Sequence, residues 1–230
     1  MATTVVLIHS PLVGPSSWAH VAAALRAHGH RALTPDCSGA LRGPPPYYPK
    51  LIEAAAGAFS DVSEKIFLVG HSGAGGFLPS VAHAARRNVA GLIYVDALLP
   101  HPGKSWFSTA PARLTAHLRS LARDGRLPPW HRWWPPGAIE ALLPGREMYA
   151  RFVAELESLP LAFFEEPAPE LDNPSALPSA YLQLSAACKP EADQAEAQGW
   201  PVRRLDLHHL ASLTHPDEVA SELDRLVDTF

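Results

Sequence analysis

Leu68 to Phe77 reads LVGHSGAGGF, and within it Gly70-His71-Ser72-Gly73-Ala74 sets a serine among small residues directly after an apolar run. A buried strand that stops at a tight turn and restarts as a helix needs small residues two before and two after the turning position. Gly70 and Ala74 meet that need, with Ala74 standing where glycine is more usual. Such a nucleophile elbow lifts the Ser72 hydroxyl above the carboxyl edge of a sheet. It also aims the first helical amides, that of Gly73 in particular, at negative charge developing nearby. A serine hydroxyl is a poor nucleophile alone and needs a base, for which 12 histidines are available.

The elbow requires a strand before it and a helix after it, and apolar periodicity supplies both. TVVLIH (4–9) is a short continuous apolar run, the pattern of a strand buried on both faces. SWAHVAAALRAHG (17–29) places Val21, Ala24, Leu25 and His28 on one helical stripe and stops at Gly29. HRALTPD (30–36) reads as a strand, PKLIEAAAGAFSDV (49–62) as a helix, KIFLVGH (65–71) as a strand, GGFLPSVAHAARR (75–87) as a helix and VAGLIYVDA (89–97) as a strand. Strand and helix alternating at this spacing build βαβ units, hence a parallel sheet covered on both faces.

After Pro100 the rhythm breaks. Residues 101–178 hold most of the tryptophans and many prolines, with helical pieces in ARLTAHLRSLARDG and EMYARFVAELESL and no convincing strand. The β/α pattern resumes with AYLQLSA (180–186), a helix from about Glu191 to Gln198, the strand WPVRRLDL (200–207) and a helix from Pro216 with Asp217 and Glu218 in its first turn. The expected organisation is one α/β core formed by 1–100 and 179–230, with 101–178 inserted as a lid.

Composition excludes several function classes. At 230 residues and 47% hydrophobic the chain can bury a sizeable core. A formal charge of -4 and a pI near 6.3 provide no basic stripe for nucleic acid. No apolar run approaches a membrane span, and the start MATTVVLIHS has no basic region leading a long apolar one, so a cytoplasmic protein without a membrane partner is expected. Cys37 and Cys188 are far apart with no metal-ligand spacing, and no GxGxxG follows the first strand, so neither a metal nor another cofactor is expected. Oligomeric state is not legible here.

Four stretches together resemble the α/β-hydrolase superfamily over nearly the whole chain: VVLIHSPLVGPSSW at the start, GHSGAGG at the elbow, VDALLP before the lid, and HLASLTHPDEV near the end. The compact start is most similar to the esterase and hydroxynitrile lyase branch. The resemblance implies an α/β-hydrolase fold, a mostly parallel sheet of about six strands with helices on both faces and an inserted helical lid. It also implies the order serine, acid, histidine, with the histidine in the loop after the last strand. That loop carries His208 and His209, and the distance to Pro216 selects His209. For the acid, some relatives use the strand after the elbow, where Asp96 ends IYVDA. Others use the loop after the next strand, here LSAACKPEADQ, whose closest positions are Ala187 and Cys188 and whose carboxylates are Glu191 and Asp193. Asp96 is preferred over Glu191, and Asp36 reads as a turn former.

In these terms Ser72 attacks a carbonyl, His209 carries the proton and Asp96 orients the imidazole, as expected for a carboxylic ester, thioester or lactone hydrolase working through an acyl-enzyme. The first loop departs from the family. Relatives read His-Gly-X and use the amide of X as an oxyanion donor beside that of Gly73. Here the residues are His9-Ser10-Pro11, and proline has no N–H. Losing one donor costs about 100- to 1,000-fold in turnover, so either the Leu12 amide or the Ser10 hydroxyl must replace it, or the reaction avoids a strong oxyanion. Hydroxynitrile lyases also carry a hydroxyl residue where Ser10 stands, although the lysine after their histidine is Leu210 here. A lyase or cyclase using the same residues as a general base, or a non-catalytic binding protein on the fold, are therefore the alternatives. Trp130, Trp133 and Trp134, with Phe163 and Phe164, are candidates to line a pocket for a hydrophobic acyl compound, or to pack the lid; Arg132 among them offers a carboxylate partner or a stacking group.

Overall fold

The computed structural model describes residues 3–85, 89–170 and 177–230. It begins with β1 (Thr3–Ile8), α1 (Ala19–Ala27), β2 (Arg31–Leu33), α2 (Tyr48–Gly57), β3 (Lys65–His71), α3 (Leu78–Ala85) and β4 (Val89–Val95). A segment of short pieces follows: α4 (Trp106–Thr109), α5 (Ala112–Leu121), β5 (Arg126–Leu127), α6 (Arg146–Ala154), β6 (Leu159–Pro160) and α7 (Leu161–Glu165). The chain then returns through β7 (Ser179–Gln183), α8 (Lys189–Ala197), β8 (Val202–Arg204), α9 (Ala211–Thr214) and α10 (Pro216–Val227).

Six strands form one sheet in the order β2-β1-β3-β4-β7-β8, and every neighbouring pair runs parallel. Side chains alternate across it as a pleat demands. Val6, Ile8, Leu68, Leu92 and Tyr94 enter one buried cluster, while Val5, Leu7, Phe67, Val69, Ile93 and Val95 enter another. Leu51, Ala55, Leu78 and Val81 of α2 and α3 close the first face. Val21 and Leu25 of α1, with Val219, Leu223 and Leu226 of α10, close the second. Both faces of the central strands are thus sealed, which is why those strands read as continuous apolar runs.

The chain turns from one half of the sheet to the other between β1 and β3, so a crevice opens at their carboxyl ends. The segment between β4 and β7, here called the cap, lies over that end. Its Leu118, Leu127, Trp130, Trp133 and Phe164 belong to the same buried cluster as Val6 and Leu68. Cap carboxylates also satisfy amides at helix starts on the core, groups with no partner inside their own helix. Glu166 accepts from the N–H of Tyr47 (2.8 Å) and Tyr48 (2.9 Å), Glu155 accepts from Ser16 N–H (3.2 Å), and Glu157 pairs with Arg42.

Several element boundaries differ from the sequence reading. The strands expected over 30–36 and 200–207 shrink to β2 and β8, because each lies at a sheet edge and extends only as far as its one neighbour pairs with it. The strand over 89–97 ends at Val95, where Asp96 adopts φ 44° and turns the chain. Residues Ser72–Phe77 form a 3₁₀ turn before α3, and the last positions of the helix expected over 75–87, 86 and 87, lie outside the described residues. His28 is exposed instead of sharing the buried stripe of Val21 and Leu25. The cap, read as strandless, contains a two-residue antiparallel ladder, Arg126 opposite Pro160 and Leu127 opposite Leu159, braced by Arg126 Nε on Ser158 Oγ at 2.9 Å. Two residues are too few to register as a periodicity.

Candidate active site

Every group singled out for the elbow chemistry lies at the carboxyl edge. Ser72 follows β3 directly and takes φ 54°, a left-handed conformation that costs a residue with a Cβ about 1–3 kcal/mol. The surrounding contacts hold it there: its carbonyl accepts from Leu98 N–H at 3.0 Å. Gly75 must be glycine for the same loop to approach, since a Cβ there would stand 2.0 Å from the Leu98 carbonyl oxygen.

Ser72 Oγ lies 3.0 Å from His209 Nε2, and His209 Nδ1 lies 2.7 Å from Asp96 Oδ2. A carboxylate accepts only, so Nδ1–H donates to Asp96 and Nε2 presents its lone pair to the serine hydroxyl. Asp96 is itself surrounded by donors: Oδ1 accepts from the N–H of Leu184 (2.8 Å) and Ser185 (2.9 Å), and Oδ2 also accepts from Ser185 Oγ (2.6 Å). Burial alone would raise this carboxyl. The hydrogen bond and charge of His209 and the Ser185 donors outweigh burial and lower it to about 2, so it stays ionised.

Behind the base, His71 donates from Nε2 to the His209 carbonyl at 3.0 Å, and its ring sits 4.7 Å from the His209 ring. Complete burial, and then the charge of His209, lower His71 to about 3, so it is a neutral prop. His208 turns away: its Nδ1 accepts from Leu210 N–H (3.3 Å) and its Nε2 meets Thr214 Oγ1 (3.0 Å). Glu191, the other candidate acid, sits half-buried in α8, and Asp36 accepts from Ser38 N–H at 2.9 Å as a turn former would.

The loop after β1 faces the elbow. A Cβ on Gly73 would lie 3.3 Å from Ser10 Oγ and 3.4 Å from Pro11 Cδ. The Leu12 amide donates to Ser10 Oγ at 3.3 Å, which directs it at the serine side chain. His9 braces the loop, donating from Nδ1 to the Ser10 carbonyl (2.8 Å) and accepting Cys37 N–H at Nε2 (3.0 Å).

Pro11, Leu12, Ser72, Gly73, Asp96 and His209 line a cavity of about 360 Å³. Its roof is aromatic: Trp130, Trp133, Trp134, Phe163 and Phe164 all line it, with Trp106 beside them. Trp130 lies 6.1 Å from the His209 ring, whereas Trp133 spends its indole N–H on the Pro128 carbonyl (2.7 Å) and so also holds the cap together. Trp134 is 38% exposed at the edge, and Arg132 is exposed and not part of the lining.

Reasoning from sequence missed Ser185, Tyr48 and the part played by Cys188. It also expected no metal-ligand grouping, yet ligand atoms of Asp96, Cys188 and His209 lie within 4.8 Å of one another. Asp96 and His209 are hydrogen-bonded to each other, and burial followed by the Asp96 charge pushes the Cys188 thiol up, so it is a protonated donor to the Asp96 carbonyl (3.3 Å). Among the described residues no helix is long and apolar enough to cross a membrane.

The sheet, the elbow and the arrangement of Ser72, His209 and Asp96 are those of one class, and the chain belongs to it: residues 5–222 match the alpha/beta hydrolase family. The chain is 32% identical over 115 residues to a carbendazim hydrolyzing esterase of Nocardioides sp. (strain SG-4G), covering 47% of this chain and 48% of that protein. It is 36% identical over 111 residues to the esterase PIR7B of Oryza sativa subsp. japonica, covering 43% and 40%. The chain thus spans about half the length, or less, of the curated relatives it matches. Among solved structures it is similar to an extracellular alpha/beta-hydrolase from a Paenibacillus species (TM-score 0.80, 18% identity, 97% and 98% of the two chains covered). It is also similar to a pyrethroid hydrolase from Sphingobium faniae JZ-2 (TM-score 0.77, 24% identity, 99% and 98% covered). At these identities the likeness is one of fold.

Proposed function

We propose that the protein hydrolyses carboxylic esters of hydrophobic small molecules through an acyl-enzyme on Ser72. The observation that carries this reading is the unbroken hydrogen-bond chain from Asp96 through His209 to Ser72, at the wall of an apolar cavity. The names of the relatives, two esterases and a pyrethroid hydrolase, support ester hydrolysis as the reaction class.

Ser72 Oγ attacks the ester carbon while its proton passes to His209 Nε2, and the electron pair of the C=O bond moves to oxygen. Asp96 stabilises the imidazolium without taking its proton. The Gly73 amide and the Ser10 hydroxyl donate to the oxyanion; Ser10 serves because Pro11 has no N–H and the Leu12 amide is directed at Ser10 Oγ. Collapse breaks the C–O bond, the leaving oxygen takes the proton from Nε2, and water repeats the sequence to release the acid.

The missing Pro11 donor favours one other reading, a lyase or cyclase in which His209 acts as base and no bond to Ser72 forms. Rapid quenching during turnover of a hydrophobic aryl ester, followed by intact-mass measurement, tells them apart. The hydrolase reading predicts a mass increase equal to the acyl group in the wild type and none in Ser72→Ala; turnover with no covalent species under acylation-fast conditions would overturn it.

A further inference from the structure

Among the described residues that line the cavity, Ser72 and Tyr48 carry a hydroxyl. Ser72 is committed to His209. Tyr48 stands at the start of α2, with its N–H on Glu166 Oε1 (2.9 Å) and its ring against Phe163 and Phe77, at centroid distances of 5.5 and 6.2 Å. It is only 3% exposed, and among the described residues no hydrogen bond reaches its phenol oxygen. Tyr48 lines the cavity, and its oxygen is not one of the sealed, unpartnered atoms that His71 Nδ1 and His101 Nε2 are. Burial, reinforced by the Glu166 charge, pushes its pKa up, so the group remains a phenol and a donor.

A phenol that lines an apolar cavity and is taken by no protein group is free to donate to a ligand acceptor that reaches it, and such a bond separates ligands that carry the acceptor from those that lack it. We infer that Tyr48 determines specificity by donating its phenol O–H to an acceptor oxygen, ether or carbonyl, carried on the otherwise hydrophobic arm of the ester. This inference rests on the ester-hydrolase reading and narrows it: the substrate is not a plain hydrocarbon ester but one with an oxygen at one position along its arm. The position is set jointly by core and cap, because Tyr48 belongs to α2 while Glu166 and Phe163, which fix it, belong to the cap.

The test uses a set of alkyl fluorophosphonates of equal length in which one methylene is replaced by oxygen at successive positions. Labelling rates are followed by intact mass in the wild type and in Tyr48→Phe, a change that keeps the ring. In the wild type one oxygenated probe should react about ten-fold faster than its all-carbon counterpart, and in Tyr48→Phe the ratio for that probe should fall to near one. No favoured position in the wild type, or a preference that survives in Tyr48→Phe, overturns the inference while leaving the Ser72 reading standing. Failure of every probe to label the wild type overturns the Ser72 reading and this inference with it.

Discussion

At the sheet edge Asp96 is held by donors from Leu184, Ser185 and His209, all at 2.6–2.9 Å, whereas above it Trp130 is held by ring contacts of 6.1–6.3 Å to His209, Trp134 and Phe152. Asp96 is fixed by directional bonds that tolerate little displacement, and the Trp130 ring by dispersion and burial that tolerate repacking. Reacting groups need the first kind of support and a binding wall can use the second. With the proposed ester hydrolysis, the division would place the chemistry in the core and much of the selectivity in the cap, and it breaks if a change in one region acts like a change in the other.

The sharpest break concerns Ser10. Ser10→Ala should lower kcat about 100-fold with KM little changed, since it removes a donor used only as charge develops on the carbonyl oxygen. Unchanged kcat would return the role to the Leu12 amide. Trp130→Ala should act differently, lowering kcat/KM about ten-fold for bulky aromatic esters and far less for short acetates, because it removes apolar wall. An equal loss on both would mean that Trp130 supports His209 more than it supports substrate.

Smaller effects probe the seam and the buried acid. Glu166→Ala should cost about 1–2 kcal/mol by stripping the acceptor from the start of α2, lowering Tm by several degrees in calorimetry. Folding lowers the Asp96 carboxyl from 3.8 to about 2, so on acidification the unfolded chain takes up that proton first. The stability contributed by Asp96 is therefore whole above about pH 4 and lost towards pH 2. Denaturant titrations across that window should show a slope in the wild type that is reduced in Asp96→Asn.

What was legible in the sequence follows the same division. The elbow could be read because a buried strand, a run of small residues and a helix are all local, and the central strands because burial on both faces leaves a continuous apolar run. Asp96 could be preferred over Glu191, which lies further along its loop than the closest positions Ala187 and Cys188, and in the fold it is Asp96 that meets His209 Nδ1. Ser185 went unnoticed although it lies in the very loop searched for an acid, because its value depends on Asp96, 89 residues away. Tyr48 was out of reach, since its place on the cavity depends on Glu166, 118 residues along the chain. Edge strands were read too long because their ends are decided by a neighbouring strand, and the cap ladder was shorter than any pattern.

The central claim is that Asp96, His209 and Ser72 act as one unit. The most direct measurement is the rate of fluorophosphonate labelling, by intact mass, in the wild type, Asp96→Asn and Glu191→Gln. The account predicts a single adduct on Ser72, slowed by about 10⁴-fold in Asp96→Asn, where the imidazole is held in the wrong tautomer, and nearly unaffected in Glu191→Gln. Normal labelling of Asp96→Asn together with loss in Glu191→Gln would contradict it.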